Sequence, residues 1–199
     1  MEARRLRKDP DTRRAEIVRH ARDVFAQGGY AETGLAEVAD AADVSKGLVY
    51  HYFPEGRPEL FAAVCEDLIA ELSARLRSAA AVPFSPARRM EQVLAALFGF
   101  FDENPEAFRI LFRDSLGSRE RHVEAAAAAA WACAAGVLGE VLSAASSGEG
   151  EMRDSSELLA ASHGILGFAV AAIDLALEGH VDAETAWRVS CEYATVGLK

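Results

Sequence analysis

The sequence predicts an all-α protein, and three observations carry that expectation. Apolar side chains recur at three- and four-residue spacing along nearly the whole chain. No segment sustains the apolar-polar alternation of a strand. Glycines, prolines and capping residues punctuate the periodic stretches where helices would begin and end. With 199 residues, 51% of them hydrophobic, the chain suits one or two domains with a sizeable core.

The first helix is expected from near Thr12, with Ile17, Ala21, Val24 and Phe25 on one face, to Gly28-Gly29, where glycine accepts the conformation of a helix end. A short second helix follows Thr33 and Gly34 and turns Leu35, Val38, Ala39 and Ala42 inward. Asp43 makes the turn, and Ser45 caps a third helix through about His51, with Leu48, Val49 and Tyr52 facing inward. Three compact helices with a tight turn between the last two form a helix-turn-helix.

Beyond the breaker Pro54-Glu55-Gly56, Leu60, Phe61, Val64, Leu68, Ile69, Leu72 and Leu76 mark a long fourth helix, ended by Val82-Pro83-Phe84-Ser85-Pro86. The fifth runs from about Ala87 to Asp102. Asn104-Pro105 opens a short sixth through Leu116, with proline at the first helical position. The seventh, roughly Arg119 to Ala145, holds six successive alanines, strong helix formers that let neighbours approach. Ser146 to Arg153 reads as a loop, Asp154 with Glu157 as a capping box for the eighth helix, Gly179 as its end, and Asp182 as the cap of the ninth.

Charge is distributed unevenly. The whole chain carries -10, which taken alone argues against a nucleic-acid partner. Residues 1 to 59 hold ten basic and eleven acidic side chains, whereas the rest hold eleven and twenty, a net of -9. Within the first 22 residues eight basic groups face four acidic ones, among them Arg4, Arg5, Arg7, Lys8, Arg13 and Arg14. That run is either a solvated tail or an arm for DNA. The acidic remainder would repel a duplex and leave only the basic end to touch it.

Cys65, Cys133 and Cys191 stand far apart with no CxxC pair and no histidine at zinc spacing, so neither a disulfide framework nor a metal site is expected, and no cofactor. The charged N-terminus does not read as a signal peptide, and the uncharged run Ala125 to Gly139 is shorter than a membrane span requires. A cytoplasmic protein is expected. No Ser/His/Asp order, HExxH, phosphate loop or carboxylate pair supports an enzyme. A small helical enzyme and a protein-binding adaptor remain the alternatives to DNA binding.

Residues 12 to 69, with ARDVFAQGGYAETGLAEVADAADVSKGLVYHYFPEGRPEL at their centre, resemble the DNA-binding region of the TetR family of bacterial transcriptional regulators. Past residue 70 the likeness is one of architecture. The resemblance implies a homodimer, usually a repressor, that leaves its operator when a small molecule enters a C-terminal cavity. It implies division into a DNA-binding part, 1-57, and an effector-binding and dimerisation part, 58-199. By position it makes Lys46, Tyr50 and His51 DNA-facing, sets Thr33 and Gly34 near phosphate, and sends Arg57 to the DNA backbone. Base reading falls to Lys46, Leu48 and the start of the second helix, Leu35 included, with Ser45 and Gly47 at the close approach of the third. Asp43 takes the place of a frequent glycine, Leu48 that of a frequent hydroxyl, and FPEGRPEL carries one residue more than the commonest spacing. The aromatic cluster then divides: Tyr52 and Phe53 to the core, Tyr50 and His51 to phosphates. The plainer reading of Tyr50 and His51 is that of helix-end residues half covered by the first helix.

In the C-terminal part, Phe98, Phe101, Phe108, Phe112, Trp131 and Phe168 are candidates to line an apolar cavity, or else are plain core. Arg109 and Arg113 are candidates to orient an acidic effector, or else solvated surface. The eighth and ninth helices are expected at a dimer interface in a four-helix bundle, through His163, Leu166, Gly167, Val170, Asp174 and Tyr193. His163 and Asp174 share a face and either meet across a two-fold axis or bond independently. Cys65 and Cys133 are weighed as a thiol sensor against inert buried thiols.

Overall fold

A computed structural model describes residues 9-114, 120-146 and 154-196. The arm residues Arg4 to Lys8, the end of the sixth helix at Leu116, Arg119, and most of the 146-153 stretch lie outside the described residues. Among the described residues every regular element is helical: α1 Pro10–Glu32, α2 Leu35–Ala41, α3 Lys46–Tyr52, α4 Arg57–Ala80, α5 Pro86–Glu103, α6 Pro105–Phe108 running into a π-helical turn Arg109–Arg113, α7 Arg121–Ser146, α8 Ser155–Leu177 and α9 Ala183–Thr195.

The ends follow from the caps. Asp9, Ser45, Ser85, Asp154 and Asp182 each accept backbone N–H groups at the start of a helix, and at α8 both halves of the Asp154/Glu157 capping box are made. Gly179 closes α8 at φ 75°.

Two elements differ from expectation. α1 does not stop at Gly28-Gly29; Gly29 leaves the helical region (φ 75°, ψ 167°) and the helix resumes through Glu32, so the glycine kinks it. The sixth helix is only four residues of α-helix before the ladder widens to π, and the Asn104 side chain does not cap it. Its amide donates back to Phe100 O at 2.9 Å, and its oxygen accepts from Arg22 at 3.1 Å.

α1 packs across α2 and α4 to make the trihelical head. Phe25 meets Phe61 edge-on at 5.1 Å, and Tyr30 lies 4.6 Å from the same ring. Ile17, Phe25, Val38, Val49, Phe53 and Phe61 are all fully buried, each large side chain contributing about 1.5–3 kcal/mol by leaving water. α4 then continues into the C-terminal body, where it packs against α5 and α7; α7 lies on α8, and α8 on α9.

By length and composition α7 and α8 could cross a membrane. In the fold half of α7's apolar window is buried, but only 28% of α8's, so α8 leaves an apolar face uncovered.

Candidate nucleic-acid interface

The turn between α2 and α3 is built by Asp43, the one non-glycine among the described residues with positive φ, at 51°. An aspartate tolerates that region better than most side chains. The Val44 N–H returns to Ala39 O at 3.0 Å and the Asp43 N–H to Asp40 O at 3.2 Å, which closes the end of α2 and fixes the turn that leads into α3. Ser45 Oγ accepts from the Leu48 N–H at 3.2 Å and starts α3.

One face of α3 turns inward with Val49, and the chain leaves it at the buried Phe53. Leu48 and Tyr52 are half-buried. Lys46, Gly47 and His51 are exposed and Tyr50 is 45% exposed. The Lys46 ammonium lies 5.9 Å from the centre of the Tyr50 ring, close enough for a cation to hold the ring's orientation. Gly56 stands at φ 78°, a left-handed conformation that favours glycine, and a Cβ there would be in ordinary contact with Tyr50 Cε1 at 3.4 Å and Leu35 Cδ1 at 3.5 Å. Phe53 is thus buried and Tyr52 half covered on the inner side, as expected, while Tyr50 and His51 face outward.

Three positions assigned to DNA are placed otherwise. Thr33 is 1% exposed and its hydroxyl donates to Gly29 O at 2.7 Å, so it stabilises the kink of α1 from within. Leu35 is 8% exposed and packs into the head, leaving exposed Gly34 as the outward residue at the start of α2. Arg57 turns inward, its guanidinium 4.6 Å from the Tyr30 ring centre, donating to Ala31 O at 2.9 Å and 3.8 Å from a Glu120 carboxylate oxygen. The extra residue in FPEGRPEL, which sets Arg57 at the first position of α4 behind Gly56, was the signal for that displacement.

The junction between the head and the body was not foreseen. Once Gly29 leaves the helical region the Tyr30 N–H points off the ladder, and Asp114 accepts it at 3.1 Å. Arg109 donates to the carbonyls of Phe25, at 2.6 Å, and Ala26. The Tyr30 hydroxyl donates to Glu120, and His122 Nε2 lies 2.7 Å from Glu55 Oε2. Burial first, and then the hydrogen bond to Glu120 and its charge, push the Tyr30 phenol up to about 12, so it stays a neutral donor.

In the body, Phe101, Phe108 and Phe112 are no more than 2% exposed and stack against one another with centres 5.4 to 5.6 Å apart, while Trp131 meets Phe112 edge-on at 5.8 Å. They fill the space expected of a cavity, because edge-to-face rings are themselves a well-packed core. Phe98 is 8% exposed, and Phe168 points out and stacks on Tyr193 at 4.8 Å. The open groove lies elsewhere, between α7 and α8: about 560 Å³, lined by Ala135, Gly136, Gly139, Leu158, Leu159 and His163 among others. Arg109 is spent on α1. Arg113 holds Asp174 at 2.6 Å and Glu178 at 2.8 Å, so both arginines have acceptors within the subunit, and together they line a pocket of about 360 Å³ with Pro105, Phe108 and Leu177.

The same ion pair engages Asp174 within the subunit while its side chain stays 40% exposed, and Leu166 is fully buried. His163 bonds Leu159 O at 2.9 Å, independently of Asp174. What α8 and α9 do expose is Leu159, Phe168, Leu175, Val189, Tyr193 and Val196, with Gly167 and Val170 half-buried alongside. Burial, followed by the nearby acids Glu66 and Asp114, pushes the Cys65 thiol up to about 12, and burial likewise raises Cys191 to about 11; both are poor nucleophiles at neutral pH. Among the described residues no group of three or more His, Cys, Asp or Glu is arranged to hold a metal ion.

A buried trihelical scaffold that presents one short helix outward, mounted on an all-helical body, defines a helix-turn-helix fold. The chain matches the model of the bacterial regulatory proteins of the tetR family over residues 17–64. It is 30% identical over 104 residues to the HTH-type transcriptional activator FasR of Mycolicibacterium smegmatis, an alignment covering 52% of this chain and 47% of that protein, so it spans about half the length of that relative. The fold extends to solved structures. A transcriptional regulator of Pseudomonas aeruginosa PAO1 superimposes with a TM-score of 0.81 at 18% identity, covering 99% of this chain and 95% of that one. FadR of Bacillus subtilis, in complex with stearoyl-CoA, does so with 0.79 at 14% identity, covering 93% and 99%.

Proposed function

We propose that this chain is a homodimeric, effector-responsive repressor, cytoplasmic, held to a pseudo-palindromic operator by one α3 from each subunit. The observation that carries the reading is the outward face of α3, where Lys46, Tyr50 and His51 stand clear of a head whose apolar side chains are spent on its own core. Lys46 supplies a point charge for phosphate, and Tyr50 and His51 supply hydrogen bonds that set register. Lys46 and half-buried Leu48 face base edges and thymine methyls. Two such helices would enter successive major grooves about 34–36 Å apart.

Residues 1-57 form the DNA-binding part and 58-199 the effector-binding and dimerisation part, with α4 as the shared lever. The effector is a small molecule whose apolar part is taken up between α7 and α8, and its binding shifts the population toward a head spacing that no longer fits the operator. Stearoyl-CoA, the ligand of the Bacillus subtilis structure, is the first compound to try.

Footprinting on the DNA flanking the coding region tests the reading. Lys46→Ala and Tyr50→Ala are expected to keep helix content and lose duplex affinity, with the Lys46 change lowering the salt slope by about two, one contact from each subunit. A parent protein that binds no duplex at low salt ends the proposal. A reporter that rises on deletion of the gene fixes the sign as repression.

A further inference from the structure

Arg57 is the one cation of the head that the sequence sends to DNA and the fold sends elsewhere. Its guanidinium is occupied on three sides: the face by the Tyr30 ring, one edge by Ala31 O, another by Glu120. Glu120 also receives the Tyr30 hydroxyl, so one carboxylate ties the end of α1 to the start of α4. Two residues further on, His122 reaches Glu55, in the turn that follows α3. The beginning of α7 therefore grips the head at Tyr30, Glu55 and Arg57, around the point where α3 hands over to α4. A phosphate drawn to Arg57 would compete with the Glu120 carboxylate, and reaching out to it would draw the guanidinium off the Tyr30 ring.

We propose that Arg57 and Glu120 are positioning residues that bolt the reading head to α7, and that operator affinity depends on this bolt and not on a phosphate contact from Arg57. The inference rests on the DNA-binding reading above. α7 packs along α4 and carries Trp131 against Phe112, so it is a second lever beside α4: a shift of α7 reaches the turn behind α3 through side chains alone. An arginine suits the place because its planar fork stacks and donates at once, which a lysine cannot do.

The test uses the full chain and a duplex that the unaltered protein selects from a randomised pool. Arg57→Met and Glu120→Gln are each expected to weaken binding by about three- to tenfold, and the double variant by no more than the worse single one, as for two residues of one contact. The slope of log affinity against log salt is expected to stay at its parental value. A phosphate contact would instead lower that slope by about two in the Arg57→Met dimer, one lost contact per subunit, and would overturn the proposal. Additive losses, or unaltered affinity, overturn it as well. Should Arg57→Met fail to fold, Arg57→Lys decides: a lysine keeps a phosphate contact, so parental affinity refutes the bolt, and a loss at parental slope supports it. A parent that selects no duplex overturns the DNA-binding reading and this proposal together.

Discussion

The molecule leaves two surfaces unfinished, and they are unfinished in opposite ways. On α3 the exposed groups are an ammonium, a phenol and an imidazole, all content in water. Along α8 and α9 they are Leu159 at 60% exposure, Leu175 at 46%, Tyr193 at 54% and Val196 at 78%. A polar face can stay wet at little cost and meet its partner intermittently. An apolar face costs about 25 cal/mol for each Å² held in water, which favours a lasting cover. The contrast teaches that one end is shaped for exchange and the other for permanence. The cover proposed for the second is another copy of the chain.

The comparison can be broken most severely from beneath the head. Phe61→Ala removes the ring on which both Phe25 and Tyr30 rest, and is expected to cost about 3–5 kcal/mol in denaturant unfolding. Its sharpest form is a protein that loses the head's cooperative transition while the α8/α9 face still self-associates; equal loss of both would merge the two surfaces into one unit. Next in size, Phe168→Arg with Tyr193→Glu replaces a stacked aromatic pair on the apolar face. Sedimentation should show monomer, with subunit affinity reduced by about 2 kcal/mol or more. Duplex affinity should fall with it even though α3 is untouched.

Smaller still, Ser45→Ala deletes the cap that accepts the Leu48 N–H and should cost about 1 kcal/mol, seen as faster amide exchange in α3 and weaker duplex binding without a change in self-association. The smallest effect is acid fraying of α9. Hydrogen bonds from the Thr185 backbone, and then its hydroxyl, hold the Asp182 carboxyl below its ordinary value of 3.8. Its contribution is therefore complete above that value and lost as pH falls through the lower folded one. Helicity followed down from pH 6 should decline less in Asp182→Asn than in the parent, and parallel curves would remove the cap from the account.

The sequence made local structure legible wherever a residue answers to its own neighbours. Ser45, Asp154 and Asp182 cap as read, Asp43 turns as read, and the alternation of Val49 and Phe53 with Tyr50 and His51 sorts inside from outside. It was silent where a side chain answers to a distant one. Arg57 and Glu120 are far apart in the chain, as are Arg109 and Phe25, and no periodicity encodes such pairs. Leu166 misled for a related reason: eight of the residues between Ile165 and Ile173 are apolar, so α8 looks alike on every side until α7 and α9 choose one. The aromatics of α5 and the π-helical turn misled because a ring that lines a space and a ring that fills it leave the same mark in a sequence.

The kink at Gly29 has a consequence for how this chain can be taken apart. The last turns of α1 are completed by Arg109 and Asp114, which lie in the other half of the chain. A helix-turn-helix cassette cut out at the obvious boundary would leave the Tyr30 amide without Asp114 and the Phe25 and Ala26 carbonyls without Arg109. Grafting the head onto another body therefore means transplanting the clasp along with it. The portable unit is set by hydrogen bonds across the seam, not by where the helices are numbered.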